Sequence, residues 1–147
     1  MNISLGSAPV YPSRFHGMFW NGIQTLGTWT RQINTAQAYN YHMTNTTTAD
    51  SHKMTWKNVI LAAGTYKISL MCVSRADGGI ATVKLNGTAI ATLDTYSAGT
   101  TNDVVVEATD IAITQGSYDI EVSNPTKNAS STSYRVYCTV IMFERTA

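Results

Sequence analysis

The sequence predicts an all-β chain made of two antiparallel sheets packed face to face. Three observations carry this. Between Ala63 and Asp94, Tyr66, Ile68, Leu70 and Cys72 alternate with Lys67, Ser69, Met71 and Val73, the period of a strand with one inward and one outward face. Turn chemistry punctuates the same stretch. Arg75-Ala76-Asp77-Gly78-Gly79 reads as a turn with its glycines at positive φ. Asn86-Gly87 is the strongest short hairpin signal, because a type I′ turn needs positive φ at both central residues. Elsewhere the same alternation recurs between turn signals, and no segment sustains a helical spacing.

The chain divides into an N-terminal arm, residues 1–27, and a sandwich domain, residues 28–147. The arm holds Val10, Tyr11, Phe15, Met18, Phe19, Trp20, Ile23 and Leu26, interrupted by Pro9, Pro12, Gly17 and Gly22. It is too apolar for a disordered tail and too broken for a helix. It reads as an extended segment laid over a surface, its own or a neighbour's. Trp29–Ile33 opens the regular structure. Tyr39, Tyr41 and Met43 alternate with Asn40, His42 and Thr44, which puts His42 on the outward face. After the polar loop 46–51, Met54, Trp56, Asn58 and Ile60 form one face of a strand. Ile80–Leu85 and Thr88–Asp94 form the hairpin. Val104–Val106 starts another strand, with an interruption near Ala108 and a resumption at Ile111. Tyr118, Ile120 and Val122 follow, up to a break at Asn124-Pro125. Tyr134–Phe143 is apolar on both faces, as expected of a strand in the middle of a sandwich or at a subunit interface. The architecture expected is an antiparallel jelly-roll β-sandwich of about eight strands with an extended N-terminal arm.

At 147 residues the chain fits one domain with a core that needs no metal or disulfide. Its charged share is 13%, about half the usual. So uncharged a surface suits a chain packed against copies of itself or a partner. A net charge of +1 with scattered Lys and Arg gives no footprint for nucleic acid. No apolar run has the length of a membrane helix, and the first residues lack the pattern of a secretory signal. The chain reads as made in the cytosol. Cys72 and Cys138 each lie mid-strand on an apolar face, as buried free thiols or as a disulfide between neighbouring strands.

Catalytic constellations are not apparent. His16, His42 and His52 have no metal-ligand spacing. Asp77 beside two glycines fits a turn better than a calcium site, which needs more carboxylates. The aromatic residues have two readings. Trp29, Trp56 and Tyr96 are candidates for stacking on sugar rings, with core packing as the alternative. Tyr11, Phe15, Phe19, Trp20 and Ile23 are candidates for an arm that grips a neighbour.

Two resemblances follow from particular stretches. AGTYKISLMCVSRADGGIATVKLNGTAIATLD with ITQGSYDIEV, within residues 59–122, resembles jelly-roll carbohydrate-binding modules of polysaccharide hydrolases. Their closing Asp/Asn-Trp segment is replaced here by Tyr134–Phe143, and their Glu-rich calcium motif is absent, so this resemblance implies a fold and no site residues. MTWKNVILAAGTYKI, LDTYSAGTTNDVVVEATDI and KNASSTSYRVYCTVIMFERTA, within residues 54–147, are similar to small domains of tailed-phage and prophage virion proteins.

Together these readings lead to a phage virion structural protein without enzymatic activity, cofactor or metal. Its expected form is a capsid decoration or cement protein, a homotrimer that binds itself and the major capsid protein or other virion proteins, assembled in the host cytoplasm. The alternative is a tail-fibre or receptor-binding, lectin-like module that binds host surface glycans. Nucleic acid and membrane are not expected partners.

Overall fold

The computed structural model describes residues 13–33, 35–36, 41–45 and 52–147. Among them are eleven strands: β1 Arg14–Met18, β2 Ile23–Leu26, β3 Trp29–Ile33, β4 Tyr41–Asn45, β5 Lys53–Leu61, β6 Gly64–Ser74, β7 Gly79–Leu85, β8 Thr88–Asp94, β9 Thr101–Ile113, β10 Gly116–Lys127 and β11 Tyr137–Arg145. They form two antiparallel sheets, the jelly-roll sandwich expected. The first runs β3-β4-β11-β6-β9, with β1 also on β11; the second runs β2-β5-β10-β7-β8.

The doubly apolar last strand, β11, lies inside the first sheet. Its far side pairs with β6. On its near side β4 takes Tyr137 and Cys138, and β1 takes Val140–Glu144. Buried on both faces, it must be apolar on both. A ladder of alternating charge crosses the outer face: Arg14 Nη2 to Glu144 Oε1 at 2.7 Å, Lys67 Nζ to Glu144 Oε2 at 3.8 Å, and Lys67 Nζ to Glu107 Oε1 at 3.2 Å. Such exposed pairs contribute little stability but match the strand register.

The expected arm is, from residue 13 onward, part of the sandwich. β1 belongs to one sheet and β2 to the other, with a 3-10 turn, Phe19–Asn21, between them. Phe19 is fully buried at this crossover. A chain passing between layers cannot leave its apolar side chains in water. Residues 1–12 lie outside the described residues.

Bulges carry most of the departures from simple alternation. In β5 the register shifts between Trp56 and Val59, and Asn58 sits at φ 56°. The shift inverts the faces that follow, so Ile60 is exposed and Leu61 enters the core. Ile60 therefore does not share the face of Met54 and Trp56. β9 runs unbroken past Ala108 because Asp110, at φ 60°, absorbs an extra residue opposite β6. Asp103, at φ 54°, does the same near its start. Asn and Asp tolerate this left-handed conformation better than other side chains. β10 likewise continues through Pro125, which falls where its register against β7 slips and no ladder donor is required.

The Asn86-Gly87 hairpin has the expected positive φ at both residues, 48° and 83°. Gly78 and Gly79 do not: neither adopts positive φ. A Cβ on Gly78 would run into Thr95 O, and one on Gly79 into Tyr134 O. Their role is close approach of backbones. Cys72 and Cys138 face each other across β6 and β11 as free, buried thiols. Burial pushes the Cys72 thiol up to about 12 and raises Cys138 as well, so both are inert at neutral pH.

Candidate functional site

The aromatic candidates named from sequence converge, but inside the protein. Phe19 packs edge-on against Trp56, centroids 5.1 Å apart, and lies 5.5 Å from Trp29. Phe15 joins them edge-on at 6.3 Å from Trp56 and 6.0 Å from Phe143. Trp56 Nε1–H donates to Met18 O at 3.3 Å, which ties the indole to the end of β1. Trp29 and Trp56 are only 3% and 8% exposed, so neither offers a ring face to a sugar. Arm candidates and stacking candidates thus form a single hydrophobic cluster. Ile23 is exposed on β2. Trp20 lies in the 3-10 turn, its side chain outside the described part, and Tyr11 is outside the described residues. Tyr96 is half-buried, its backbone bridged to Arg75.

Polar chemistry gathers elsewhere, around Tyr137. Met43, Cys138 and Cys72 are register partners with side chains in the core. Their neighbours His42, Thr44 and Tyr137 therefore turn to the opposite face of the sheet. Beside them the turn after β6 meets the segment leading into β11. Gly79 N–H donates to Arg135 O at 2.6 Å, and Thr132 N–H to Ala76 O at 3.0 Å. The glycine contacts described above permit this approach. The result is a polar cavity of about 160 Å³ lined by Gln32, Thr44, Asn45, Arg75, Arg135 and Tyr137.

Asp77 organises its charges. Its Oδ1 lies 3.2 Å from Arg75 Nε and its Oδ2 3.5 Å from Arg135 Nη1. The Tyr137 hydroxyl donates to Oδ2 at 2.8 Å. Arg75 also lies over the Tyr137 ring, 4.9 Å from its centroid. Burial raises the Tyr137 phenol above its ordinary value, with the Asp77 carboxylate adding to the effect. A carboxylate held by two guanidiniums is a poor cation ligand, so Asp77 serves its turn and its arginines, not calcium.

His42 packs edge-on against Tyr137, centroids 5.4 Å apart. It lies on the outward face expected from alternation but is buried there, because the Tyr137 ring and its neighbours cover that face. Burial, then the nearby Arg75 charge, lowers its pKa. The neutral ring donates from Nε2 to Gln32 Oε1 at 3.2 Å. His52 is also buried, its Nδ1 accepting from Thr28 N–H at 2.9 Å.

Asn45 is fully buried beside the cavity. Its Oδ1 accepts from Val136 N–H at 2.7 Å, which fixes the orientation of the amide. Its Nδ2 has no hydrogen-bond partner among the described residues. An orphaned buried donor costs about 1–3 kcal/mol. With His42 neutral, two guanidiniums face one carboxylate, and one positive charge is left unmatched among the described residues. No group of three or more His, Cys, Asp or Glu among the described residues could hold a metal.

A second, more open hollow lies over β5, β10 and the Asn86-Gly87 turn, lined by Thr55, Lys57, Asn86, Gly87, Asp119 and Glu121. Its acids are already engaged. Glu121 lies 3.6 Å from Lys53 and 3.3 Å from Lys84, and Asp119 Oδ1 accepts Asn58 N–H at 3.1 Å.

No protein-family model and no curated protein matches the chain. Solved structures do. The CBM36-1 domain of a multidomain xylanase from the hindgut metagenome of Trinervitermes trinervoides superposes with a TM-score of 0.69 at 12% identity, covering 91% of this chain and 98% of that one. The C-terminal CBM6 of LamC, a marine laminarinase from Zobellia galactanivorans, gives 0.68 at 14% identity over 90% and 99%. An exo-β-1,3-galactanase from Phanerochaete chrysosporium, in complex with galactose, gives 0.63 at 16% identity over 90% of this chain. The chain spans 29% of that enzyme's length. At these identities the likeness is one of fold: the jelly-roll sandwich of carbohydrate-binding modules.

Proposed function

We propose that this chain is a carbohydrate-binding module that holds a glycan and performs no reaction on it. The observation that carries the reading is the extent of the fold match: nearly the whole of this chain corresponds to nearly the whole of two carbohydrate-binding modules. The cavity chemistry agrees. Its arginines stay charged, its tyrosine is held protonated and its one carboxylate is ion-paired, so none of these is poised to exchange a proton at neutral pH. Burial denies both thiols a nucleophilic role.

The decoration-protein reading drew on low charge, an apolar leader free to grip a neighbour, the doubly apolar last strand and the lack of a catalytic site. Residues 14–26 have a place in the sandwich, which favours the glycan-binding alternative. The similarity of residues 54–147 to virion domains supports a place on a phage particle, where the ligand would be a host surface glycan. A glycan array with the purified chain tests the reading. Retention of a defined oligosaccharide class, weakened by Arg135→Gln, is expected. No retention of any glycan by the folded protein would overturn it.

A further inference from the structure

We infer that the cavity beside Tyr137 recognises a carboxylate-bearing sugar, of the uronic or sialic acid class, through Arg75, Arg135 and the Asn45 amide. The inference rests on the carbohydrate-binding reading and adds the chemistry of the ligand. Every unengaged polar hydrogen that Arg75, Arg135 and Asn45 present is an N–H donor. Asp77 lies within ion-pair distance of Arg75 Nε and Arg135 Nη1, and Arg135 Nη1 also donates to the Tyr137 hydroxyl at 3.4 Å, which leaves the other guanidinium nitrogens without a partner among the described residues. Nδ2 of Asn45 is orphaned and held in place by the bond from Val136. Gln32, Thr44 and Tyr137 also line the cavity and can accept hydrogen bonds. Two guanidiniums and the Asn45 amide nonetheless give the wall an excess of donors, which a neutral sugar hydroxyl, both giving and taking, matches less fully. A carboxylate takes only, and it supplies the charge that the two guanidiniums lack.

Geometry favours a planar anion. Asp77 pins both guanidiniums before any ligand arrives, and Arg75 is further held over the Tyr137 ring. Pre-set planar forks suit a second carboxylate. The Arg75 and Arg135 side chains are each 43% exposed, so a ligand can reach them, while Asp77 lies deeper at 19%. With His42 neutral, Arg75 and Arg135 are the cations that line the cavity among the described residues.

The test compares three probes on the full chain by isothermal titration: an oligosaccharide ending in glucuronic acid, its methyl ester and a sulfated analogue of the same length. The acid should bind, and the ester at least about tenfold more weakly, the loss expected when a charged hydrogen bond becomes neutral. Added salt should weaken the acid and leave the ester unchanged. Asn45→Asp keeps the acceptor for Val136 N–H, replaces the orphaned donor with a negative charge, and should remove acid binding. Because the acid–ester comparison uses the unaltered protein, a misfolded variant does not blunt it. Equal affinity for acid and ester overturns the inference and leaves carbohydrate binding standing. A preference for the sulfated probe overturns the commitment to a carboxylate. Binding of no glycan at all, in this assay and on the array, removes both readings.

Discussion

At the Phe19 cluster, four aromatic rings meet one another and exclude water. At Tyr137, one ring meets an imidazole and two guanidiniums, with a carboxylate at its hydroxyl. Both draw residues from distant strands, but the arginines at Tyr137 are partly exposed. The two places differ in the chemistry of their contacts. Phe15 and Phe19 each meet Trp56 edge to face, and Phe19 lies tilted against Trp29. Around Tyr137 the Asn45 amide hydrogens and part of two guanidiniums find no partner among the described residues. Aromatic content alone therefore does not mark a recognition surface. Guanidiniums that solvent can reach beside an aromatic ring are the better candidate.

The contrast is broken most forcefully at Phe19. It is fully buried between Trp29 and Trp56, so Phe19→Ala should cost about 3–5 kcal/mol. A urea titration reads this as a lower midpoint at an unchanged slope. A loss below about 1 kcal/mol would mean that the leading segment is not part of the core.

Gly79→Ala should come next. An added methyl would press on the Tyr134 backbone, which cannot rotate away as a side chain could. Overpacking of this kind costs about 1–3 kcal/mol. The same push separates the Arg75 turn from Arg135, so glycan affinity should fall along with stability. Phe19→Ala should leave the affinity of the remaining folded protein intact. That difference, measured by titration well below each variant's melting temperature, separates the two regions.

Much of the fold could be read from residue order, and the reasons are local. Alternation in β6 and the Asn86-Gly87 turn are effects of neighbouring residues, so a single sequence displays them. The bulges were harder. Asn58, Asp103 and Asp110 are polar residues within otherwise apolar or β-branched strands, a signal of left-handed backbone that simple alternation passes over. Missing the bulge at Asn58 puts Ile60 on the wrong face. The cavity was not legible. Gln32, Asn45, Arg75 and Arg135 come from four separate stretches of chain, and only strand pairing and the Gly78–Arg135 bridge unite them. Arg75 with Asp77, and Arg135 with Tyr137, each two residues apart, were visible as pairs, but nothing local says that they share one carboxylate.

A smaller effect is expected from Tyr137→Phe, which keeps the ring and removes the hydroxyl that donates to Asp77 at 2.8 Å and accepts from Arg135 Nη1 at 3.4 Å. Asp77 retains both guanidiniums, so the loss should be about 0.5–1.5 kcal/mol. For a chain of 147 residues that is a fall in Tm of roughly 2–6 °C by calorimetry. No change would mean that the ring, by packing, supplies everything Tyr137 contributes.

The smallest effect is carried by His42, and its sign can be worked out. The folded protein lowers this imidazole below its ordinary value of 6.5, first through burial and then through the Arg75 charge. Asp77 is the one acid of the cavity, and both arginines already hold it. In the unfolded chain the same ring takes up a proton as the pH falls through its ordinary value. The unfolded state then binds more protons than the folded state, so stability must decline with acidification. The contribution is complete above pH 6.5 and is lost as the pH drops from there toward the lowered folded value. Urea midpoints between about pH 7.5 and 5.5 should therefore fall for the natural protein. In His42→Gln, which retains a donor for Gln32 and cannot titrate, the same descent should be shallower. Equal slopes would mean that His42 is hydrated in the folded state, and that the face around Tyr137 is open to water where the Phe19 cluster is closed.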